Sequence, residues 1–384
     1  MENIVEKNKC TGCTACYSIC PKNAIEMKED ENGFKYPVID QNKCIDCGLC
    51  KKICPVLNKK SNIAINKCYV GYNKDSEIQE ESSSGGVFDI IAKEVLKDNG
   101  LVVGAAFDEN NKLKHFIVDN VEYLKKLRGS KYLQSDLNSV FKQIKENVKN
   151  RKILFVGVPC QVAGLKAFLN KDYDNLMCVD LICHGVPTPK LFDKYVKELE
   201  ETNRDELINY NFRDKSTGWD SYSNTATFKN ETIKELQSNN AYMKLFLSDV
   251  ALRVSCYNCN FKLGNKYSDI TLGDFWGVKN YYPEMYNKKG VSAIIINTKK
   301  GKEIIRNISS QLELKECKLE EIVKGNPSLT ASSKKPEKRK EFFNELNNKV
   351  SFFKLAKDYS KHISFLKRLV NKSKRTIKVL FKIK

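Results

Sequence analysis

Residues 10–21 read CTGCTACYSICP, and residues 44–55 read CIDCGLCKKICP. Each stretch has four cysteines separated by two, two and three residues, with a proline directly after the fourth. In this spacing three thiolates bind one iron–sulfur cube, and the fourth thiolate binds the second cube of the pair. The proline turns the chain just after each fourth cysteine. The sequence therefore predicts a bacterial-type ferredoxin module that holds two [4Fe-4S] clusters.

The same spacing predicts which cysteines share a cluster, because the fourth ligand crosses to the other cube. Zinc also accepts four thiolates, but its sites usually combine two CxxC pairs. The repeated four-cysteine spacing therefore favours two iron–sulfur clusters over zinc. The expected ligands are Cys10, Cys13, Cys16 and Cys54 for the first cluster, and Cys44, Cys47, Cys50 and Cys20 for the second.

Length and composition limit the class of protein. The chain has 384 residues, of which 41% are hydrophobic, so a sizeable core is expected, in one large domain or in two to three ordinary ones. The first residues, MENIVE, lack the basic start and apolar core of a signal peptide. No apolar run approaches the roughly 20 residues that span a bilayer. We therefore expect a cytoplasmic protein whose cysteines bind clusters in a reducing compartment instead of forming disulfides.

The formal charge of +19 is concentrated at the C-terminus, where residues 334–384 hold 17 Lys and Arg against 4 Asp and Glu. In this stretch Phe, Leu and Ile alternate with lysines at loosely helical spacing. Two interpretations stay open: a solvated extension, or an interfacial helix on anionic lipid at the inner face of the membrane. Because uneven charge alone is weak support for nucleic-acid binding, no nucleic-acid partner is expected.

Strand-like and helix-like stretches alternate from residue 67 to residue 199, which indicates an α/β body. Later strand-like stretches do not alternate with helices, so the fold class predicted for the whole chain is α+β. The expected strands are 67–72, 101–107, 153–157, 176–183, 207–212, 223–228, 270–272 and 291–296, and the expected helices are 87–96, 137–148, 162–169 and 189–199.

Four further cysteines lie where loops or element ends are expected. A third cluster would need four thiolates gathered from such places. Only one pair has ligand spacing, however, and the other two cysteines fit small buried apolar residues as well. From spacing alone a third cluster therefore stays open. The four are Cys160, Cys183, Cys256 and Cys259, whereas Cys68 and Cys178 are expected in the core and Cys317 has no expected role.

Two glycine-containing stretches are candidates for nucleotide contact. Ser84-Gly85-Gly86 precedes an expected helix, whose N-terminal amides attract phosphate, although a serine with glycines is also a common helix start. Gly129-Ser130-Lys131-Tyr132 could supply a cation and an aromatic face, or form a surface turn. A third stretch, residues 269–277, carries two acids and a tryptophan that would line a redox pocket or close a hairpin.

Taken together, the order of these motifs resembles the family of coenzyme F420 hydrogenase/dehydrogenase beta subunits over roughly residues 1–300. The motifs that carry the resemblance are the two-cluster module, Ser84-Gly85-Gly86, Gly129-Ser130-Lys131-Tyr132, Gly157-Val158-Pro159-Cys160-Gln161, Cys183-His184-Gly185, Cys256-x2-Cys259 and the stretch from Asp269 to Gly277. Phe212-Arg213-Asp214-Lys215 and the basic C-terminus look like a branch of this family associated with surface-polysaccharide biosynthesis.

The resemblance implies cofactors and site residues beyond those that spacing predicts. It implies FAD in the α/β body, with a third [4Fe-4S] cluster beside it on Cys160, Cys183, Cys256 and Cys259. Ser84, Gly85, Gly86, Ser130 and Lys131 become candidate contacts of the flavin or of a deazaflavin substrate. Lys131 would place positive charge near N1 of the reduced flavin. No catalytic residue is assigned.

The predicted organisation has three parts: a two-cluster ferredoxin domain over residues 1–60, a flavin and iron–sulfur domain over residues 61–330, and a basic amphipathic tail over residues 331–384. The predicted function is an oxidoreductase that passes electrons between clusters and a flavin and exchanges hydride with coenzyme F420 or a related carrier. The alternative is a non-catalytic electron-transfer subunit. The expected partner is a redox protein or a diffusible hydride carrier.

Overall fold

The structure is a computed structural model, and it describes residues 4–59 and 67–360. The N-terminal module folds around its cysteine loops, with a two-stranded antiparallel sheet behind them. Its elements are α1 (Ala15–Ile19), β1 (Ile25–Glu29), β2 (Lys35–Ile39) and α2 (Leu49–Lys52). Each short helix starts inside a cysteine loop, so the loops and helices together surround the sulfur atoms.

The body that follows is built from two further sheets. Its strands are β3 (Lys67–Asn73), β4 (Leu101–Phe107), β5 (Leu113–Val118), β6 (Ile153–Gly157), β7 (Leu176–Leu181), β8 (Leu207–Asp214), β9 (Ser223–Phe228), β10 (Thr232–Leu236), β11 (Ile270–Asp274), β12 (Ser292–Ile296) and β13 (Leu312–Cys317). An eight-stranded sheet has the order β13-β3-β12-β11-β7-β6-β4-β5, and β10-β9-β8 form a smaller antiparallel sheet. This confirms the mixed α/β body that the alternation of elements predicts.

The centre of the large sheet is parallel. Strands β4, β6, β7 and β11 run in the same direction, whereas the strands at both edges pair antiparallel. The loops that leave the carboxyl ends of these central strands therefore meet at one edge, which is where open α/β sheets bind their ligands.

Helices cover both faces of this sheet. In sequence order the helices of the body are α3 (Ser76–Glu81), α4 (Val87–Leu96), α5 (Leu124–Leu127), α6 (Val140–Asn147), α7 (Pro159–Leu169), α8 (Pro189–Asn203), α9 (Ala241–Leu247), α10 (Val278–Tyr281), α11 (Lys299–Ile308), α12 (Leu319–Gly325), α13 (Arg339–Asn347) and α14 (Phe352–Tyr359). One buried cluster joins α4 and α11 to Val102 and Leu154, and another joins α6 and α7 to Val103 and Phe155. Successive strand residues thus point to opposite apolar layers, as the two-residue period of a strand requires.

The C-terminal helices correct one expectation. A separate tail was predicted from residue 331, but α13 and α14 pack into the same apolar cluster as α8, α9 and β8. Phe342 and Phe352 on these helices are fully buried. The described part of the predicted tail therefore belongs to the body. Residues 361–384, the rest of that tail, lie outside the described residues. None of the described helices combines the length and apolar character that crossing a bilayer requires.

Candidate functional site

The eight cysteines of the N-terminal module divide into two cavities. One cavity is lined by Cys10, Cys13, Cys16 and Cys54, and the other by Cys20, Cys44, Cys47 and Cys50. This is the crossed grouping that the spacing predicts. The backbone supports it: Gly12 and Gly48 adopt positive φ angles of 69°, which lets the chain bend tightly around each cavity. The backbone amide of Ala24 donates to the Cys20 sulfur at 3.3 Å, a contact that suits a thiolate.

The two cavities differ in burial. Cys10 and Cys54 are buried, whereas Cys47 in the other cavity is exposed. Burial raises the pKa of Cys13 to about 12 and that of Cys16 well above its ordinary value. Such thiols keep their protons until a metal centre replaces them. Four sulfurs around one small cavity, repeated twice, are the donor set that an iron–sulfur cube requires.

A third cysteine cavity forms at the carboxyl edge of the large sheet. Cys160 lies in the first turn of α7, directly after β6, and Cys183 follows the neighbouring parallel strand β7. Cys256 lies in a short 3₁₀ segment, Val254–Asn258, and Cys259 is the residue directly after that segment. All four side chains line one cavity. The fold thus gathers the four cysteines that spacing alone left open.

Burial and cationic side chains act in opposite directions on the charge of this third cavity, where Lys266 is already ion-paired with the buried Asp180 at 2.9 Å. Burial raises the pKa of Cys183 to about 12 and that of Cys160 well above its ordinary value, and neighbouring thiols add to both shifts. Three cations also line the cavity: Arg253, Lys262 and Lys266. The Lys262 ammonium donates to the Cys183 carbonyl at 2.9 Å. The donor set and the cations together fit an anionic iron–sulfur cube.

Two of the remaining cysteines occupy the apolar core, as expected. Cys178 is fully buried in β7, and Cys68 is buried in β3. Cys317, to which no role was assigned, lies opposite Cys68 in the pairing of β13 with β3. No three His, Cys, Asp or Glu side chains of the described residues converge tightly enough to hold a single metal ion.

A large pocket of about 540 Å³ opens beside the third cysteine cavity. Ser84, Gly86, Ser130 and Lys131, all expected to contact a cofactor, line it. Gly85 instead packs behind the loop, where an added Cβ would lie 2.6 Å from the Gly71 carbonyl oxygen. The volume lies within the range of small-molecule pockets. The predicted serine–glycine and glycine–serine–lysine stretches therefore meet at one pocket, although they are far apart in sequence.

Two buried cations hold the carbonyl groups of the serine-rich loop. Arg213 Nη2 donates to the Ser83 carbonyl at 2.9 Å, and Lys215 Nζ donates to the Ser84 carbonyl at 2.9 Å. Within the described residues no side chain caps the amino end of α4, whose N-cap is Gly86 with φ 77°. The pocket-lining start of α4 is therefore suited to a negatively charged ligand group. The stretch Phe212–Lys215 serves to fix this loop.

Lys131 lies next to the serine-rich loop, since the Ser130 amide donates to the Ser83 hydroxyl, and it has a defined role of its own. Its ammonium donates to the carbonyls of Lys126, Leu127 and Arg128 at 3.0, 3.1 and 2.7 Å, and so caps the carboxyl end of α5. Burial lowers the pKa of Lys131 to about 7. The three carbonyl acceptors and the helix end oppose that shift, because they stabilise the protonated form. Burial and these acceptors thus act in opposite directions on the charge of Lys131, and the acceptors hold its ammonium group in place at the pocket.

His115 lines the pocket as a neutral imidazole. Burial lowers the pKa of His115 to about 4, and its ring stacks on Phe155. Nε2 lies 3.1 Å from the Val156 carbonyl, to which it must donate, so Nδ1 accepts from the Ser135 hydroxyl at 3.0 Å. Gln161 in turn donates to the Ser135 oxygen at 3.0 Å. The tautomer of His115 is thus fixed by its partners.

Aromatic side chains line the pocket around Arg213. The Arg213 guanidinium lies 4.1 Å from the Tyr222 ring centre and 5.5 Å from that of Trp276. Asp274 accepts from Arg213 at 3.0 Å and from the Trp219 indole at 2.6 Å. Flat aromatic faces with one fixed cation suit a planar, electron-rich ring.

The pocket and the third cysteine cavity share a wall. Residues 182–186, which contain Cys183 and His184, line both spaces. His184 Nε2 lies 2.6 Å from Asp249 Oδ1, and this contact orients the imidazole at the boundary. A ring bound in the large pocket would therefore lie directly beside a cluster bound in the cavity.

Sequence reasoning missed several residues of this site. His115, Tyr222 and Arg253 stand in no motif, and only the three-dimensional fold brings them to the pocket or cavity. Arg213 was noted as part of a motif without a role, whereas the stretch that contains Trp276 was expected to line a redox pocket or close a hairpin, and Trp276 lines the pocket. The arginine that ends the strand-like run YNFR, residues 210–213, was a usable signal, because arginine is rarely buried unless paired.

Comparisons with known proteins match three segments of the chain. Residues 68–142 match the family model described as "Coenzyme F420 hydrogenase/dehydrogenase, beta subunit N-term", and residues 150–322 match the companion model for the C terminus of the same protein. Residues 9–58 match a 4Fe-4S dicluster domain. The family matches thus cover most of the body, and the dicluster match covers the N-terminal module.

Two curated relatives extend over most of the chain. One is a subunit of the F(420)H(2) dehydrogenase of Methanosarcina mazei, which is 22% identical over 333 residues that cover 82% of this chain and 86% of the relative. The coenzyme F420-dependent sulfite reductase of Methanocaldococcus jannaschii is 28% identical over 365 residues, which cover 94% of this chain but only 54% of the relative.

A solved structure of the F420-reducing [NiFe] hydrogenase complex from Methanosarcina barkeri contains a chain that is 18% identical, with a TM-score of 0.47. The match covers 76% of this chain and 92% of that chain. From its two family matches and its dicluster domain, the chain belongs to the family of coenzyme F420 hydrogenase/dehydrogenase beta subunits.

Proposed function

We propose that this chain is an iron–sulfur flavoprotein oxidoreductase that converts between hydride transfer and single-electron transfer. The observation that carries the proposal is the wall shared by the large pocket and the third cysteine cavity. A flavin supplies the chemistry for this conversion, because it exchanges two electrons with a hydride donor and single electrons with clusters. FAD and the third cluster are part of the proposal.

Each group of cavity-lining cysteines is proposed to hold one [4Fe-4S] cluster. The first ligand set is Cys10, Cys13, Cys16 and Cys54, the second is Cys20, Cys44, Cys47 and Cys50, and the third is Cys160, Cys183, Cys256 and Cys259. Support comes from the grouping of four sulfurs around each cavity and from the cations at the third.

The pocket residues would bind and orient the flavin. The uncapped start of α4 and the loop Ser82–Gly86 suit its phosphate groups. Tyr222 and Trp276 offer faces for a planar ring. Lys131 would place positive charge beside the ring, which favours a reduced, anionic flavin. His115, which burial keeps neutral, would contribute a polar but uncharged surface to the pocket wall.

The exposed end of the N-terminal module is the proposed exchange point for a partner protein. Cys47 is exposed there, and Ile45 and Leu49 beside it are 57% and 36% exposed. Lys51 and Lys52 are exposed in the same helix region. An apolar centre with basic neighbours suits an acidic one-electron carrier, since charge complementarity guides encounter.

Anaerobic purification tests this assignment. The chain should carry about twelve iron atoms, four for each of three cubes, and one flavin. Cys256→Ala should lower iron to about eight and leave the two module clusters in place. Protein with about eight irons that Cys256→Ala does not change would contradict the third cluster. Protein that contains no flavin and cannot be reconstituted with FAD would favour the electron-transfer subunit over the oxidoreductase.

The hydride carrier is proposed to be coenzyme F420 or a related deazaflavin, because both curated relatives are named for F420. Cofactor-loaded protein should be reduced by F420H2 faster than by NADH. Because some motifs resemble a branch of the family associated with surface-polysaccharide biosynthesis, an electron carrier that serves that biosynthesis is the alternative to coenzyme F420. Reduction by ferredoxin, but not by F420H2 or NADH, would contradict the proposal that coenzyme F420 is the hydride carrier.

We also propose peripheral contact with anionic membrane through residues 361–384. The support is composition, since this stretch has nine Lys and Arg, no Asp or Glu, and interspersed Phe, Leu and Ile.

A further inference from the structure

Arg253 is a buried cation between two of the cysteine cavities. Its side chain is 1% exposed and lines the third cavity beside Cys256. On its other side, Nε donates to the Cys10 carbonyl at 2.8 Å, and Nη2 lies 3.9 Å from the Cys10 sulfur. The guanidinium group therefore stands between a sulfur of the first ligand set and the space enclosed by the third.

Arg253 has no carboxylate partner among the residues that the structure describes. Its other hydrogen bonds go to the Gln134 side chain at 3.1 Å and to the Lys35 carbonyl at 3.0 Å, and its Cζ lies 4.2 Å from the Tyr36 ring centre. These partners are neutral. A fully buried charge is costly unless an opposite charge compensates it.

The missing counter-charge fits the proposed clusters. A cube with four thiolate ligands is a net anion, and nearby charge and hydrogen bonds to sulfur set its reduction potential. The backbone leaves room for this contact at Gly12, where an added Cβ would lie 3.0 Å from Arg253 Nη1. Thr11 also lines the third cavity, so the first cysteine loop, Arg253 and that cavity adjoin one another.

We propose that Arg253 is a positioning residue that raises the reduction potential of the cluster bound by Cys10, Cys13, Cys16 and Cys54, and less strongly that of the third cluster. Reduction adds one electron to a cluster with no bond made or broken, and a fixed positive charge stabilises the more negative product. Arg253 thereby stabilises the reduced state of the clusters on both sides of it, so that an electron can occupy either one. The proposal rests on the proposed cluster assignment.

The test is a redox titration of anaerobic, cluster-loaded full chain, followed by electron paramagnetic resonance. Arg253→Gln removes the charge and should lower the reduction potential of the first cluster. At a fixed applied potential the ratio of reduced to oxidised cluster should fall at least tenfold, which corresponds to a shift of about 59 mV for one electron. Arg253→Lys keeps the charge and should retain most of the wild-type potential. The exposed cluster at Cys47 should not shift in either variant, and it serves as the internal reference.

Arg339→Gln is the matched control. Arg339 is also buried and donates to the neighbouring Leu252 carbonyl at 2.9 Å, but it lines none of the three cysteine cavities. Its loss should leave all three potentials unchanged. Iron and flavin contents are measured for every variant, so that a change in potential is compared between proteins of known loading.

The outcomes separate the two proposals. Wild-type protein without iron would overturn the proposed function itself. Three clusters with unchanged potentials in Arg253→Gln, or the same shift in Arg339→Gln, would overturn the role of Arg253 alone. If Arg253→Gln fails to take up iron, a fully loaded Arg253→Lys supports the need for charge. Equal iron loss in the Gln and Lys variants shows a packing role and overturns the proposal.

Discussion

At the scale of single residues, the site relies on buried polar groups whose partners fix their charge. His115 is held neutral, whereas Arg213 is held charged by its hydrogen bonds to Asp274. The two residues line the same pocket. A ligand would therefore meet one uncharged imidazole and one neutralised guanidinium, so the net charge of this wall stays near zero. An anionic group would therefore be bound elsewhere in the pocket, at the start of α4 and beside Lys131.

The neutral state of His115 predicts a dependence of stability on pH. Its pKa is about 4 in the folded chain, below the ordinary 6.5, so protons bind the unfolded chain first. The stabilising contribution is complete above pH 6.5 and is lost as pH falls through 4. Each pH unit within that window costs up to about 1.4 kcal/mol. Denaturant unfolding at pH 7, 6 and 5 should show a shallower decline for His115→Gln.

Ser135→Ala is the control for this prediction. It removes the hydroxyl that donates to His115 Nδ1 but keeps the titrating ring. It should lower stability at every pH and retain the wild-type decline toward acid. A His115→Gln variant with the same decline as wild type would show that other groups account for the acid sensitivity.

At the scale of elements, one of the contacts between the N-terminal module and the body is a helix pair that joins two ligand sets. Helix α1 lies against α7, and Gly164 on α7 faces Cys13. A Cβ at Gly164 would lie 2.8 Å from Cys13 Cβ and 3.0 Å from its sulfur. Because Cys160 is one helical turn before Gly164, this contact sets how closely the first and third ligand sets approach.

Gly164→Ala should therefore disturb both stability and cluster loading. Overpacking of this kind costs about 1–3 kcal/mol, and the strain falls on a cysteine of the first ligand set. We expect a lower midpoint of thermal unfolding and less iron per chain, measured anaerobically. Gly104→Ala is the matched control, since its added Cβ would meet Leu127 at 3.4 Å, an ordinary contact. Wild-type iron content in Gly164→Ala would contradict the prediction.

Elements with strong local patterns were predictable, and contacts between distant elements were not. The strands 101–107 and 153–157 have the predicted bounds, because continuous apolar runs between breakers define a buried strand. Helix α7 starts at Pro159, earlier than predicted, since proline is favoured in a first turn. The cysteine spacing predicted the grouping within the module. Arg253 could not be found, because the hydrogen-bond partners of its side chain lie 119 to 243 positions away in the sequence.

At the scale of the whole molecule, four spaces follow one another from surface to interior. The exposed cysteine cavity at Cys47 adjoins the buried cavity at Cys10 through the shared module. Arg253 then separates the Cys10 cavity from the third, and residues 182–186 separate the third from the large pocket. Under the proposed function, this order would give single electrons an entrance at the exposed cavity and would keep the pocket, where hydride would be exchanged, at the other end.

The C-terminus adds a last prediction about the whole chain, concerning its contact with membranes. Truncation must leave α13 and α14 in place, since removing them would expose Phe342 and Phe352 from the core. A chain that ends at Ser360 is therefore the proper comparison with the full chain. Basic residues near an anionic surface contribute about 1 kcal/mol each, so the full chain should float with anionic vesicles and the shorter chain should not.

Neutral vesicles separate charge from apolar insertion. The full chain should lose most of its flotation on neutral vesicles and in high salt, because screening weakens attraction between basic residues and anionic lipid. Equal flotation of both chains would place any membrane contact within residues 1–360 and remove the role of the last 24 residues. Flotation that is insensitive to salt would instead require apolar insertion, since only charge contacts are screened at about a 10 Å range.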